Sequence, residues 1–245
     1  VRGRLLPAVA DEGGAAGLQV IAPACHDTGS AVVAVPAQRP GFAWISSGTW
    51  SILGVEAPEP IITPESLRHN FTNEGGAGNT FRFCKNITGL WLVQECRRWW
   101  ATHGQELTYT QLTQMAADAR PFTCLIDPDH GDFLKPGDMP ARIRAYAVQT
   151  GQTAPETQGE IVRSALEGIA LKYRYVLETA EELLGQRLDP IHIVGGGAQN
   201  RLLSQFTADA AGRPVLPGPV DQRRVLVREL APEGGADLGG AVRPA

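Results

Sequence analysis

The sequence predicts an α/β fold, because stretches with the apolar period of a helix alternate with short apolar runs typical of strands. Apolar side chains recur at i, i+3 and i+4 spacing from residue 156 to residue 184, which predicts one long amphipathic helix. Ile191–Val194 is an apolar run that leads into Gly195, Gly196 and Gly197, which predicts a buried strand ending in a tight turn. This alternation favours a sheet with helices packed on it.

The other predicted elements follow the same two periods. Strands are expected at residues 18–22, 42–45, 50–55 and 214–216, and helices at residues 29–35, 86–100, 107–119 and 200–211. Common N-cap residues stand at the helix starts, namely Asn86, Thr108 or Thr110, and Asn200. Ser46-Ser47-Gly48-Thr49 predicts a tight hairpin turn. Residues 128–140 are expected to be a loop, and the residues before 18 show no clear element.

Composition narrows the possible classes of function. The chain has 245 residues, 43% of them hydrophobic, and a net charge of -4, which favours a globular protein and disfavours a general nucleic-acid binder. Cys25, Cys84, Cys96 and Cys124 form no C-x-x-C pair, so buried free thiols are expected rather than zinc ligands or disulfides. No apolar run approaches the ~20 residues of a membrane span, and from the sequence given we expect no signal peptide. We therefore expect a cytoplasmic protein that acts on small molecules.

His26-Asp27-Thr28 lies between a predicted strand and a predicted helix. A carboxylate in that place can project into a cleft and accept a proton from a substrate hydroxyl. An Asp before a helix is equally typical of an N-cap that serves only the helix amides. The spacing alone leaves both interpretations open.

Two turns are candidates for binding a nucleotide. Three successive glycines at residues 195–197 let a flat or anionic ligand approach bare amides and the positive end of the next helix. They match neither phosphate-loop fingerprint, since no Lys follows them and the G-x-G-x-x-G spacing is absent. The hairpin at residues 46–49 could hold phosphate oxygens through its hydroxyls and amides. Packing turns and hydroxyl-rich hairpins are common, so a purely structural role stays open for both.

Asn86 and Gln94, eight residues apart, form a third candidate. On one helix this spacing would place both side chains roughly on one face, about two turns apart, where they could bond a base or a ribose. A helix cap and an interior polar residue are the alternative interpretation.

The order and intervals of these segments resemble the FGGY family of sugar kinases. The likeness is carried by residues 24–32, 44–51, 70–76, 85–95 and 192–220 and covers about residues 18–220. The His-Asp-Thr element and the Phe-Thr-Asn-Glu-Gly-Gly segment at residues 71–76 are its most discriminating parts, whereas the triple glycine is shared by many actin-like ATPases. Within the family, the chain is most similar to the kinases that act on L-rhamnulose.

The resemblance implies an actin-like ATPase fold of the ribonuclease-H-like type, in which sugar and ATP meet between two domains. Asp27 would be the base that takes the proton from the 1-hydroxyl of L-rhamnulose, with His26 and Thr28 as substrate contacts. Another ketose kinase of the family, such as a fuculokinase, or a non-catalytic nucleotide-binding remnant or subunit, is the alternative.

The resemblance also implies where ATP binds. Thr49 would meet the phosphates, Asn86 and Gln94 would lie along the nucleotide, and Gly196 would let the adenosine part approach the backbone. Phosphoryl transfer needs mainly positioning and charge stabilisation, so a positioned base, magnesium and phosphate clamps suffice. We expect Mg²⁺ to arrive as the ATP complex.

Finally, the resemblance implies three parts of the chain: residues 1–39 as the end of a first kinase domain, residues 42–220 as the second domain, and residues 221–245 as a divergent, disordered tail. The family's Asp-Gly-Thr-like phosphate hairpin would lie upstream of Asp27, and nothing before Asp27 here can supply it. A truncated or frame-shifted gene product, or a separately encoded first domain, would account for both ends. We therefore expect kinase activity to be impaired in the isolated chain.

Overall fold

A computed structural model describes residues 3–20, 26–37 and 41–218. The helices of this part are α1 Pro7–Gly13, α2 Asp27–Val33, α3 Pro64–Arg68, α4 Trp91–Thr102, α5 Tyr109–Asp118, α6 Met139–Gln149, α7 Gln158–Leu184 and α8 Arg201–Ala211. The strands are β1 Gly3–Arg4, β2 Gln19–Val20, β3 Ala43–Ser47, β4 Trp50–Ala57, β5 Thr72–Gly75, β6 Phe81–Thr88, β7 Ile191–Val194 and β8 Val215–Pro217. Short 3₁₀ turns occur at Gly131–Phe133 and Gly196–Gln199.

A six-stranded mixed sheet in the order β5-β6-β4-β3-β7-β8 forms the centre. The pairs β5-β6, β6-β4 and β4-β3 are antiparallel, whereas the pairs β3-β7 and β7-β8 are parallel. The main core lies between one face of the sheet and the helices α4 to α8, with α7 buried along most of its length. A smaller apolar cluster on the opposite face joins α2 to Trp44, Cys84 and Val194.

Several sequence predictions are confirmed at their expected positions. Strand β7 occupies Ile191–Val194, and α7 ends at Leu184 as predicted, with Thr157 closing a capping box at its start. The Asn200 side chain accepts from the Leu203 amide at 3.0 Å, so Asn200 caps α8. Thr108, rather than Thr110, caps α5. These features depend on local side-chain and backbone bonding, which sequence patterns capture well.

The prediction that Asn86 caps a helix is wrong. Asn86 lies within β6, opposite Ile52 of β4, and the helix begins only at Trp91 after Leu90. Eight ladder pairs tie β6 to β4, so strand pairing overrides the local cap pattern. Asn86 lies on β6 and Gln94 on α4. The prediction that both side chains share one helix face is therefore also wrong.

Other boundaries also differ from the sequence predictions. Residues 128–140 contain a 3₁₀ turn, and their end already belongs to α6. Helix α1 forms within the stretch that showed no clear element, and α2 starts at Asp27 instead of residue 29. The expectations for Cys25 and for residues 221–245 lie outside the described residues.

Cys84, Cys96 and Cys124 are free and buried, as expected. Burial raises the pKa of the Cys84 thiol to about 11, and it also raises the pKa values of Cys96 and Cys124, which keeps all three protonated at neutral pH. Within the described ranges, no helix is both long and apolar enough to cross a membrane.

Candidate functional site

Two loops leave the sheet side by side where the parallel strands β3 and β7 end. Ser46 pairs with Val194 in the register, so the Gly48-Thr49 hairpin tip and the glycine turn are neighbours. Gly195 has φ +85°, and a Cβ there would lie 2.8 Å from the Ser47 carbonyl oxygen. A Cβ on Gly197 would overlap the Ser47 side chain. Both glycines are therefore required for the close packing of the two loops.

Gly196 differs from its two neighbours. A Cβ built on Gly196 meets nothing within 4 Å, and its φ lies outside the left-handed region. The residue is exposed and faces a cleft of about 650 Å³. In the glycine turn, Gly195 and Gly197 thus allow close packing against Ser47, whereas Gly196 leaves the cleft open.

The hairpin tip, α4, α5, the glycine turn and the start of α8 line this cleft. Its volume lies in the range of small-molecule sites. Thr49, Gln94 and Gly196, which sequence analysis selected separately, all face it, and the Thr49 hydroxyl donates to Gln94 Oε1 at 3.0 Å. The capped N-terminus of α8, at Asn200, adds the positive end of a helix dipole. Ligands of parallel α/β sheets commonly bind at such strand ends.

Groups on α7 and at the start of α4, which were not predicted from the sequence, hold the hairpin in place. The amides of Leu90 and Trp91 donate to the carbonyls of Gly48 and Thr49 at 2.9 and 3.0 Å, so the start of α4 fixes the loop. The Tyr173 hydroxyl, on buried α7, lies 2.6 Å from Ser51 Oγ and 3.4 Å from Ser47 Oγ. Burial raises the pKa of Tyr173, so its phenol stays protonated. Tyr173 falls in the apolar stripe of α7, so the sequence pattern did not indicate that its hydroxyl contacts the hairpin.

Asn86 is placed differently from the other predicted nucleotide contacts. Among the described residues, those that line the cleft do not include it. Asn86 is exposed beside Ile52, which packs on the edge of the α2 cluster, so it lies on the α2 side of the sheet. Along this face of β6 it stands between Cys84, which belongs to the α2 cluster, and Thr88, which pairs with Trp50 at the hairpin.

His26, Asp27 and Thr28 lie together at the start of α2. His26 takes the N-cap position, and Asp27 is the first helical residue. Asp27 Oδ1 accepts from the adjoining Thr28 amide at 2.7 Å and lies 3.4 Å from His26 Nε2. The Asp27 side chain is 71% exposed. His26, not Asp27, takes the N-cap position, while the Asp27 carboxylate accepts from a helix amide and is also accessible to a ligand.

Glu74 adjoins this motif and is itself paired with Arg82, and neither residue was singled out from the sequence. Glu74 Oε2 lies 3.8 Å from His26 Nδ1 and 2.9 Å from the Arg82 guanidinium. Glu74 falls within the segment that carried the family resemblance, but its contact with His26 spans 48 positions of the chain. In residues 3–20, 26–37 and 41–218 there is no group of three or more His, Cys, Asp or Glu side chains that could hold a metal ion.

Comparison with known proteins identifies the family. The sequence profile of the C-terminal domain of the FGGY family of carbohydrate kinases matches residues 43–226. This segment contains β3, the hairpin, α4, the glycine turn and α8. The chain belongs to the FGGY family of carbohydrate kinases.

Similar proteins carry the name rhamnulokinase. One from Bacteroides thetaiotaomicron is 45% identical over 230 residues, covering 93% of this chain and 47% of that protein. One from Bacillus subtilis is 40% identical over 203 residues, covering 83% of this chain and 41% of that protein. The chain thus spans about half the length of the curated relatives it matches.

Solved structures of other FGGY kinases share the fold. A xylulose kinase from Rhodospirillum rubrum superimposes with a TM-score of 0.63 at 18% identity, covering 89% of this chain and 46% of that structure. Structural similarity at such low sequence identity shows a shared fold and nothing about substrate. The predicted actin-like, ribonuclease-H-like α/β fold is confirmed.

Proposed function

We propose that this chain forms the second-domain half of an ATP-dependent sugar kinase that phosphorylates the 1-hydroxyl of L-rhamnulose. The observation that carries the proposal is the single cleft shared by Thr49, Gln94 and Gly196, three residues that family resemblance assigned to ATP. The rhamnulokinase relatives, at 40 to 45% identity, favour L-rhamnulose over other ketoses as the acceptor.

In this proposal the nucleotide occupies the cleft between the hairpin and α8. Thr49 and the positive end of α8 would bind phosphate oxygens, and the open backbone at Gly196 would face the adenosine part. Mg²⁺ would enter with ATP and neutralise phosphate charge, because its preferred oxygen ligands include the phosphates themselves.

Asp27 would act on the sugar. The Thr28 amide engages Oδ1, and we assign Oδ2 as the atom that accepts the proton of the attacking 1-hydroxyl. Asn86 lies on the α2 face of β6 and does not line the cleft, so in this proposal it would lie beside the path between sugar and phosphate. Its predicted contact with the nucleotide would then be limited to the phosphate end.

The proposal keeps the expected division of the chain. Residues 1–39 would be the end of a first domain, residues 42–220 the second domain and residues 221–245 a divergent tail. The rest of the first domain, joined or separately encoded, would supply the remaining sugar contacts and the second phosphate loop. We also propose a cytoplasmic location, where ATP and sugar metabolism meet.

Three measurements test the proposal. Calorimetric titration of the folded chain should show weak ATP binding, and absence of binding at millimolar ATP would contradict it. With the complete kinase, L-rhamnulose should be phosphorylated faster than L-fuculose or D-xylulose.

Asp27→Asn should lower kcat by about 10²- to 10⁴-fold with little change in ATP affinity. The control Asp132→Asn changes an exposed acid in the first turn of another short helix. Normal turnover by the Asp27 variant would exclude a general-base role.

A further inference from the structure

We propose that Glu74, held by Arg82, is a positioning residue that orients the His26 ring beside Asp27 for binding of the sugar. The inference rests on the proposed kinase function and adds a residue to its sugar-binding end. It is carried by a continuous row of contacts, from Arg82 through Glu74 and His26 to Asp27, on the α2 face of the sheet.

The first part of the row fixes the Glu74 carboxylate. Glu74 and Arg82 stand directly opposite each other on β5 and β6, and Arg82 Nη2 lies 2.9 Å from Glu74 Oε2. Arg82 Nε also donates to the Gly75 carbonyl at 3.1 Å, and its side chain is only 3% exposed. A buried guanidinium with two such bonds has little freedom, so the carboxylate it holds is fixed in place as well.

The second part of the row concerns His26. Its two ring nitrogens each face a carboxylate, with Nδ1 3.8 Å from Glu74 Oε2 and Nε2 3.4 Å from Asp27 Oδ1. His26 is half exposed, and its side chain makes no capping hydrogen bond to α2. Asp27 belongs to the same helix as His26, so Glu74 is the contact that ties the ring to the sheet.

This arrangement separates the task of Glu74 from that of Asp27. Asp27 contacts the reacting hydroxyl in the proposed reaction, whereas Glu74 acts only through His26. Loss of Glu74 should leave the ring free to turn, which weakens sugar binding without altering the nucleotide cleft on the other side of the hairpin.

The test compares Glu74→Ala and Glu74→Gln with the matched control Glu56→Gln. Glu56 stands opposite Arg82 on the other neighbouring strand, β4, and is exposed. In the complete kinase, Glu74→Ala should raise KM for L-rhamnulose about tenfold and leave KM for ATP unchanged. Glu74→Gln, which keeps an oxygen for Arg82, should have a smaller effect, and Glu56→Gln none.

A double-mutant cycle distinguishes positioning from mere structural support. In a His26→Ala background, Glu74→Ala should cause no further rise in the sugar KM, because its effect passes through the imidazole. Equal effects of Glu74→Ala with and without His26, or a rise in both KM values, would overturn the inference.

A measurement on the chain itself keeps this test separate from the proposed function. With ¹⁵N-labelled histidine and His26→Ala to assign the signals, Glu74→Gln should shift the His26 Nδ1 resonance, and Glu56→Gln should not. An unchanged Nδ1 signal would overturn the inference. If the complete kinase phosphorylates no ketose while the Nδ1 signal shifts as expected, the function proposal fails and the link between Glu74 and His26 stands.

Discussion

The Thr49 hydroxyl donates a hydrogen bond to Gln94 Oε1 across 3.0 Å, joining the hairpin tip to α4 at the rim of the cleft. The two residues lie 45 positions apart, and family resemblance assigned both to ATP. A phosphate oxygen that accepts from Thr49 would replace Gln94 as the acceptor. The bond to Gln94 thus fixes the position of the Thr49 hydroxyl.

This contact leads to a prediction for Thr49→Val, which keeps the shape of the side chain and removes the donor. Hydrogen bonds to charged groups contribute about 1.5–3 kcal/mol, so ATP affinity should fall about 10- to 100-fold. Calorimetric titration measures the loss. Thr102→Val, at the exposed C-terminal end of α4, is the control and should bind ATP as the parent does. An unchanged Kd for Thr49→Val would remove Thr49 from the phosphate site.

Gly196→Val should abolish ATP binding while the fold is retained. Its Cβ position is open and its φ is ordinary, so the added side chain occupies the cleft without straining the turn. Gly131→Val is a matched control, because Gly131 also begins a 3₁₀ turn and also has open space at its Cβ position. Circular dichroism checks the fold, and titration checks binding. ATP binding by the Gly196 variant with parental affinity would place the nucleotide elsewhere.

Tyr173→Phe should destabilise the protein, because it leaves the fully buried Ser51 hydroxyl without its partner at 2.6 Å. Loss of one partner of a buried hydrogen bond costs about 1–3 kcal/mol. Chemical denaturation measures the free energy of unfolding. Tyr175→Phe, two residues along α7 and exposed, should change it by less than about 0.5 kcal/mol. Equal stability of the two variants would show that the hairpin does not depend on Tyr173.

Glu181 and Arg213 give a prediction about pH. Partial burial alone would raise the pKa of Glu181, but hydrogen bonds from Arg213 and the Leu188 amide, which donates at 2.7 Å, bring it below its ordinary value of 4.5. A lowered folded-state pKa gives stability that is complete above about pH 4.5 and is lost as pH falls through that lower value.

The variant Glu181→Gln should therefore be less stable than the parent at pH 7, and the difference should shrink as the solution is acidified below pH 4.5. Thermal unfolding over a pH series follows this change. Glu178→Gln removes a half-exposed acid from the same helix and serves as the control, with little effect at any pH. A difference between parent and Glu181→Gln that stays constant with pH would exclude this linkage.

Sequence alone determined the features that depend on neighbouring residues. The Asn200 cap, the β3-β4 hairpin, the period of α7 and the glycine turn after β7 all follow from bonding or spacing within a few positions. Motif order then indicated the family. The same local reasoning failed at Asn86, where a cap pattern was outweighed by pairing of β6 with β4.

Tertiary structure decided which of these residues meet. Thr49, Gln94 and Gly196 share a cleft only because β3 and β7 are parallel neighbours and α4 begins beneath the hairpin. The contacts of Tyr173 with Ser51, and of Glu74 with His26, join segments 122 and 48 positions apart. Sequence patterns encode what a residue favours among its near neighbours, whereas such distant contacts exist only once the sheet has set its strand order and register.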